Sequence, residues 1–215
     1  MVQDLPDKKR VETVVVCYTQ ATFDFNENSV EIEEENEPLF QAHQRGLLAE
    51  KLASALKVAK FETDIVKVPL RTFEPRDFSK AAFAWRLLDL SESNGRSIDL
   101  AICLDFPAWS LNHRHKVAWL SQLPFFVTRR SSATIIEPSQ VPADASVSSN
   151  IYALLQAEKR GLFESWRIIA GNRDCAEELA RSGMQVEFNP FPPLDLPPDS
   201  PAWQKVIARM LNKAT

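Results

Sequence analysis

Short, unbroken apolar runs of strand length alternate along this chain with longer stretches whose apolar residues recur every three to four positions. The clearest run is Ile98–Leu104, which has no polar position other than Asp99. A run of this kind suits a strand buried on both faces, as in a parallel sheet covered by helices. It breaks at Asp105-Phe106-Pro107, and open α/β sheets place ligands at the carboxyl ends of such strands. Before it, Glu12–Gln20 reads as a first buried strand, β-branched at its centre and preceded by charged residues. Leu39, Ala42, Leu47, Leu48, Leu52, Ala55 and Leu56 then repeat at helical spacing from Pro38 to about Val58, and Phe61–Pro69 reads as a second strand. A second helix is expected over Pro75–Leu90, with Phe78, Ala82, Trp85 and Leu88, and Leu87 beside them, inward and Ser91–Ser97 closing it.

Lys116–Leu120 supplies a fourth strand. The pattern then fades between Leu123 and Ser149, which reads as a long surface loop. Periodicity returns as a helix over Asn150–Trp166 capped by Asn150, a strand over Arg167–Ala170, a helix ending at Arg181 before Gly183, and a strand over Met184–Phe188. Six prolines crowd into Asn189–Pro201, an extended linker. Pro201–Lys213 closes the chain as an amphipathic helix with Trp203, Val206, Ile207, Met210 and Leu211 on one stripe. Strands alternating with helices in this order predict a Rossmann-like α/β fold: a three-layer sandwich about a mostly parallel sheet, with a C-terminal crossing helix.

The 215 residues, 45% apolar, are enough for one sizeable core. A net charge of −4 argues against a nucleic-acid partner. No apolar stretch approaches the roughly 20 residues that cross a bilayer. The opening MVQDLPDKKRVE has no apolar core of a signal peptide, so a cytoplasmic location is expected. Cys17, Cys103 and Cys175 match no metal spacing and read as buried reduced thiols. Seven acids fall within Asp24–Glu37, and no Lys or Arg occurs between Arg10 and Arg45; this stretch reads as a solvated loop rather than an acidic docking surface.

Candidate chemistry is sparse. His113-x-His115 offers two ligands with no supporting third, so no metal is expected. No phosphate-cradling glycine motif, nucleophile elbow or metalloprotease signature occurs, and no cofactor is expected. Asp105, at the carboxyl end of the central strand, is the acid best placed for polar work; capping the turn that follows is the competing role. Arg129-Arg130 is a basic pair in the long loop that reads as solvated, and Trp85, Trp109, Trp119 and Trp166 read as core or rim.

Three stretches in order resemble the N-terminal, acceptor-side domain of a family 4 glycosyltransferase of the GT-B fold. They are VETVVVCYTQATF with the later LLAEKLASALK and FETDIVKVPLRTFEP; AWRLLDLSESNGRSIDLAICLDFPAWSLNHRHKVAWL; and ESWRIIAGNRDCAEELARSGMQVEFNPFPPLD. Together they cover most of Val11–Asp195. The resemblance implies a domain over 1–188, a Pro-rich linker over 189–201, and a helix over 202–215 that packs back on the domain. It also implies sugar transfer, within polysaccharide or lipopolysaccharide synthesis, and places His113 at the family's turn histidine. Asp105, His113, Arg114 and Arg129 are the candidate residues for the mouth of the cleft.

The departures from the family concern activity. Glu35-Asn36-Glu37-Pro38 stands where the family has a Gly-Gly pair followed by an acid, and its like charges would repel a phosphate. Ser121–Phe126 lacks the histidine that such enzymes carry near the acceptor, and the sugar-nucleotide domain is missing between the linker and the last helix. The expectation is a pseudo-glycosyltransferase without catalysis of its own and with no catalytic residue assigned. It would act by binding a partner, either a glycosyltransferase subunit or a second copy of itself. The alternatives are an acceptor-recognition subunit of a split transferase and a small-molecule-binding Rossmann-like protein.

Overall fold

In a computed structural model, residues 11–22, 37–72, 74–93, 95–127 and 145–211 are described, with the backbone path alone for 37–43 and 145–150. β1 (Thr13–Ala21) leads through α1 (Glu37–Val58) to β2 (Glu62–Leu70), and α2 (Pro75–Leu87) follows. A two-residue hairpin, β3 (Glu92–Ser93) and β4 (Arg96–Ser97), precedes β5 (Leu100–Cys103) and a 3-10 turn at Ala108–Ser110. Then come β6 (Lys116–Leu120), α3 (Ala145–Phe163), β7 (Arg167–Ala170), α4 (Arg173–Arg181), β8 (Glu187–Phe188) and α5 (Pro201–Leu211). Six strands form one sheet in the order β2-β1-β5-β6-β7-β8, every neighbouring pair parallel, with helices on both faces. The fold is the expected Rossmann-like three-layer sandwich.

Alternation along the strands sorts the core into two layers. Val14, Val16, Leu100, Ile102, Val117 and Trp119 face α1 and α5. Val15, Cys17, Ala101, Cys103, Ala118 and Leu120 face α2, α3 and α4. The second set is smaller because Trp85 and Trp109 fill that side.

Three boundaries differ from the pattern reading. α2 stops at Leu87, which is exposed rather than inward, and Glu92–Ser93 pairs with Arg96–Ser97 as the β3–β4 hairpin, with Gly95 at φ +78°, rather than closing a helix. Glycine takes that left-handed conformation at no steric cost. β8 is only Glu187–Phe188, because 183–186 are spent on leaving α4. Gly183 N–H donates to Ala180 O and Met184 N–H to Leu179 O, the double bond of a Schellman ending with Gly183 at φ +81°. α1 ends in the same way, with Lys60 N–H on Lys57 O and Phe61 N–H on Leu56 O, but there Lys60 itself occupies the left-handed position at φ +72°. α3 begins at Ala145, so Asn150 lies inside it and does not cap it.

The proline-rich segment is packed rather than loose. Asn189 N–H continues the ladder to Ala170 O and Phe191 N–H to Gly171 O. Asn189 O accepts the Trp119 indole N–H at 2.9 Å, and Asn189 Nδ2 donates to Val206 O. α5 then lies on the layer shared with α1, where Trp203, Val206, Ile207 and Met210 are buried. Arg167, itself buried, fixes its far end by donating to the Glu187 carboxylate at 2.9 and 2.6 Å and to the carbonyl oxygens of Met210 and Arg209.

At the outer edge, β2 pairs only with β1 among the described residues. Glu62 N–H donates inward to Glu12 O and Leu70 O accepts inward from Thr22 N–H, so the odd-numbered Thr63, Ile65, Lys67 and Pro69 present their backbone groups outward. Among the described residues no helix is long and apolar enough to cross a membrane.

Candidate functional site

The sheet order sets the place to look. The chain leaves β1 for α1 on one face, and it leaves β5 for the 3-10 turn on the other. Diverging connections at two adjacent carboxyl ends open a crevice, the switch point where doubly wound sheets hold ligands. Thr19 of β1 and Asp105 after β5 lie at that point.

Asp105 is buried and its carboxylate fills the crevice. Both oxygens accept the Thr19 N–H, at 3.0 and 3.1 Å, and the Ala108 N–H and the Thr19 hydroxyl also donate to it. The Thr19 hydroxyl in turn accepts the Trp85 indole N–H at 3.1 Å. Arg45 reaches in from α1, its Nε 3.6 Å from the carboxylate and its Nη1 3.0 Å from Gln122 Oε1 beyond β6. The Arg45 side chain is only 12% exposed, and its Nε has no hydrogen-bond partner among the described residues. Burial pushes the Asp105 pKa up to about 7, against the pull of Arg45 and the three donors. One backbone N–H at the carboxyl end of β1, that of Thr19, is thus held by the chain's own carboxylate, and the turn between β1 and α1 lies outside the described residues.

A second buried acid does similar work nearby. Glu158, on the inner face of α3, accepts the N–H groups of Phe125 and Phe126, both at 3.0 Å, and burial raises its pKa to about 7. Ring contacts join the two places: Phe78 lies edge-on to Phe125 at 5.7 Å and parallel to Phe106 at 6.2 Å, and Phe106 meets Trp109 at 5.8 Å.

Of the four residues expected at the cleft mouth, the three that are described do not assemble. Asp105 is at the carboxyl edge. His113 and Arg114 stand at the amino edge, because the link after β5 runs back along the sheet to start β6 in parallel, and the two edges are separated by the length of β5, roughly 13 Å. His113 Nδ1 lies 3.1 Å from the His115 N and 3.0 Å from the His115 O, and Nε2 donates to Ile98 O at 3.2 Å. Burial lowers the His113 pKa, and the ring is a peg that fixes the start of β6. Arg114 is exposed beside it. Arg129 and the acidic stretch up to residue 36 lie outside the described residues.

Sequence reasoning passed over Arg45, Thr19 and Glu158. A signal existed for two of them. Arg45 is the first cation after a long run without any, and Glu158 interrupts an apolar stripe between Leu154 and Leu162. Neither pattern says which buried group the charge will meet.

Lys116 is likewise buried, donating Nζ–H to Trp109 O at 2.6 Å and Leu111 O at 2.8 Å, and burial lowers its pKa. It closes the 3-10 turn from below. Cys17, Cys103 and Cys175 are free and buried. Cys17 and Cys103 are register partners on β1 and β5, and the neighbouring Cys103 thiol, together with burial, pushes the Cys17 pKa up. Among the described residues no three His, Cys, Asp or Glu side chains group to hold a metal ion.

Comparison with known protein families, with curated proteins and with solved structures finds no match.

Proposed function

We propose that this chain is a glycosyltransferase-like domain without catalysis of its own, acting by binding a partner. One observation carries the reading: at the switch point the buried Asp105 carboxylate itself holds the Thr19 N–H, with Arg45 as its counter-ion. A sugar nucleotide at this crevice would have to displace a buried ion pair and bring its own phosphates against a carboxylate. The segmental resemblance supports the family part of the reading. The returning α5, packed against the same layer as α1, is in keeping with an acceptor-side domain that retains its crossing helix.

Titration calorimetry of the purified chain with uridine and guanosine diphosphate sugars tests the proposal. No saturable heat and no glycosyl transfer are expected, with a stoichiometric partner or second copy appearing in native mass spectra of material purified from its own cell. Micromolar binding of either nucleotide sugar, or transfer by the isolated chain, overturns it. The split-transferase reading draws on Arg45, whose unbonded Nε keeps one cation at the crevice. It would be selected if the co-purifying partner were a transferase lacking an acceptor-side domain.

A further inference from the structure

The outer faces of α2 and α3 carry matching stripes. On α2, Arg76, Lys80, Phe83 and Leu87 fall at i, i+4, i+7 and i+11, all exposed. On α3, Tyr152, Gln156, Lys159 and Phe163 repeat the same spacing, also exposed. The helices are neighbours on one face of the sheet, and the Arg86–Glu164 ion pair ties their carboxyl-terminal ends together. That arrangement gathers the apolar ends of both stripes, Phe83, Leu87 and Phe163, at one end of the layer.

These apolar side chains are not a partly covered core. Phe83 is 64% exposed, Leu87 68%, Tyr152 65% and Phe163 58%. Cations flank them along both helices, with Lys159 Nζ 5.9 Å above the Phe163 ring. On these two helices and the residues that flank them, five exposed cations (Arg76, Lys80, Arg86, Lys159 and Arg160) face three acids at the surface, Glu74, Asp77 and Glu164. Asp77 is engaged by Lys80 and Thr72 and Glu164 by Arg86, while Glu158 is buried beneath. The face is thus positive on a chain whose net charge is −4.

We propose that the α2–α3 face docks on an anionic lipid bilayer, with Phe83, Leu87, Tyr152 and Phe163 entering the headgroup–acyl boundary and the surrounding cations meeting lipid phosphates. Protruding apolar side chains with flanking Lys and Arg fit a fluid interface, which closes around them. A protein partner would need a contiguous complementary patch. The inference is independent of whether the chain binds sugar nucleotides.

Co-sedimentation of the full chain with vesicles tests it. Vesicles of equal parts phosphatidylcholine and phosphatidylglycerol should carry the protein down at low salt, phosphatidylcholine alone should not, and added salt should release it. Partitioning should fall at least about tenfold in F83S/L87S and about fivefold for each cation removed in K80Q/K159Q. V58S, an exposed apolar change on the opposite face, should bind as wild type, and thermal melts should show all three variants folded. If wild type ignores anionic vesicles, or if both face variants sediment unchanged, the proposal falls. It falls equally if the face variants abolish a dimer in solution while no vesicle binding exists, because the face is then a protein interface.

Discussion

The ring of Phe191 lies where a side chain at Gly171 would be: a Cβ there would come within 1.9 Å of it. The contact lets the chain leaving β8 hydrogen-bond to Gly171 O and stack Phe191 on Trp119 at 4.3 Å. Gly171→Ala should therefore expel the ring and cost about 1–3 kcal/mol. A urea titration followed by tryptophan fluorescence measures this. Phe191→Ala combined with Gly171→Ala should cost less than the sum of the two single changes, since the clash is gone.

Asp105 and Glu158 make the fold sensitive to pH. Both carboxyls sit at about 7 in the native state, well above their ordinary values. Between about pH 4 and 7 the native state therefore holds more protons than the unfolded state, so stability is fullest at the acid end and falls as pH rises, on the order of 3–4 kcal/mol per group at most. The melting temperature should drop between pH 5 and pH 8. Asp105→Asn, which resembles the protonated form, should flatten that drop and melt at or above wild type at pH 8. An Asp105→Asn profile parallel to wild type would show that Asp105 is ionised throughout.

Arg167 anchors the last helix. Arg167→Met removes the donors to Glu187 and to the α5 carbonyls while keeping most of the bulk, and should cost about 2–4 kcal/mol. Hydrogen exchange should then quicken across residues 203–211 before it changes in β1 or β5.

Lys60 holds a left-handed conformation without being glycine. Lys60→Gly should raise stability by about 1 kcal/mol. The shift in a thermal melt checks it, and a fall would mean that the lysine stem packs on something worth more than the backbone strain.

Periodicity reached most of the fold because burial writes itself directly into sequence. Lys116–Leu120 and Arg167–Ala170 are apolar blocks with fixed ends, and both strands run over those residues. The α5 stripe from Trp203 to Leu211 names the residues that become buried. Order within the sheet leaves no such trace, so the placing of Asp105 and His113 on opposite edges appears only once β5 and β6 are parallel. The crevice is harder still. Thr19 reads as strand, Arg45 as helix surface and Asp105 as a loop acid, and their meeting depends on the close approach of three elements distant in the chain. Ionic partners chosen by tertiary geometry have no period to follow.

β2 has a consequence for behaviour in solution. A nine-residue strand with one flank unpaired among the described residues is a template on which another chain can grow into fibres. Here the outward positions end at Pro69, which has no hydrogen to donate to an incoming strand, and Lys67 would have to be buried beside any newcomer. At the opposite flank, β8 offers only two residues. Pro69 and Lys67 thus oppose growth at the β2 edge, and replacing both with valine should make the chain form fibres more readily, read by thioflavin fluorescence.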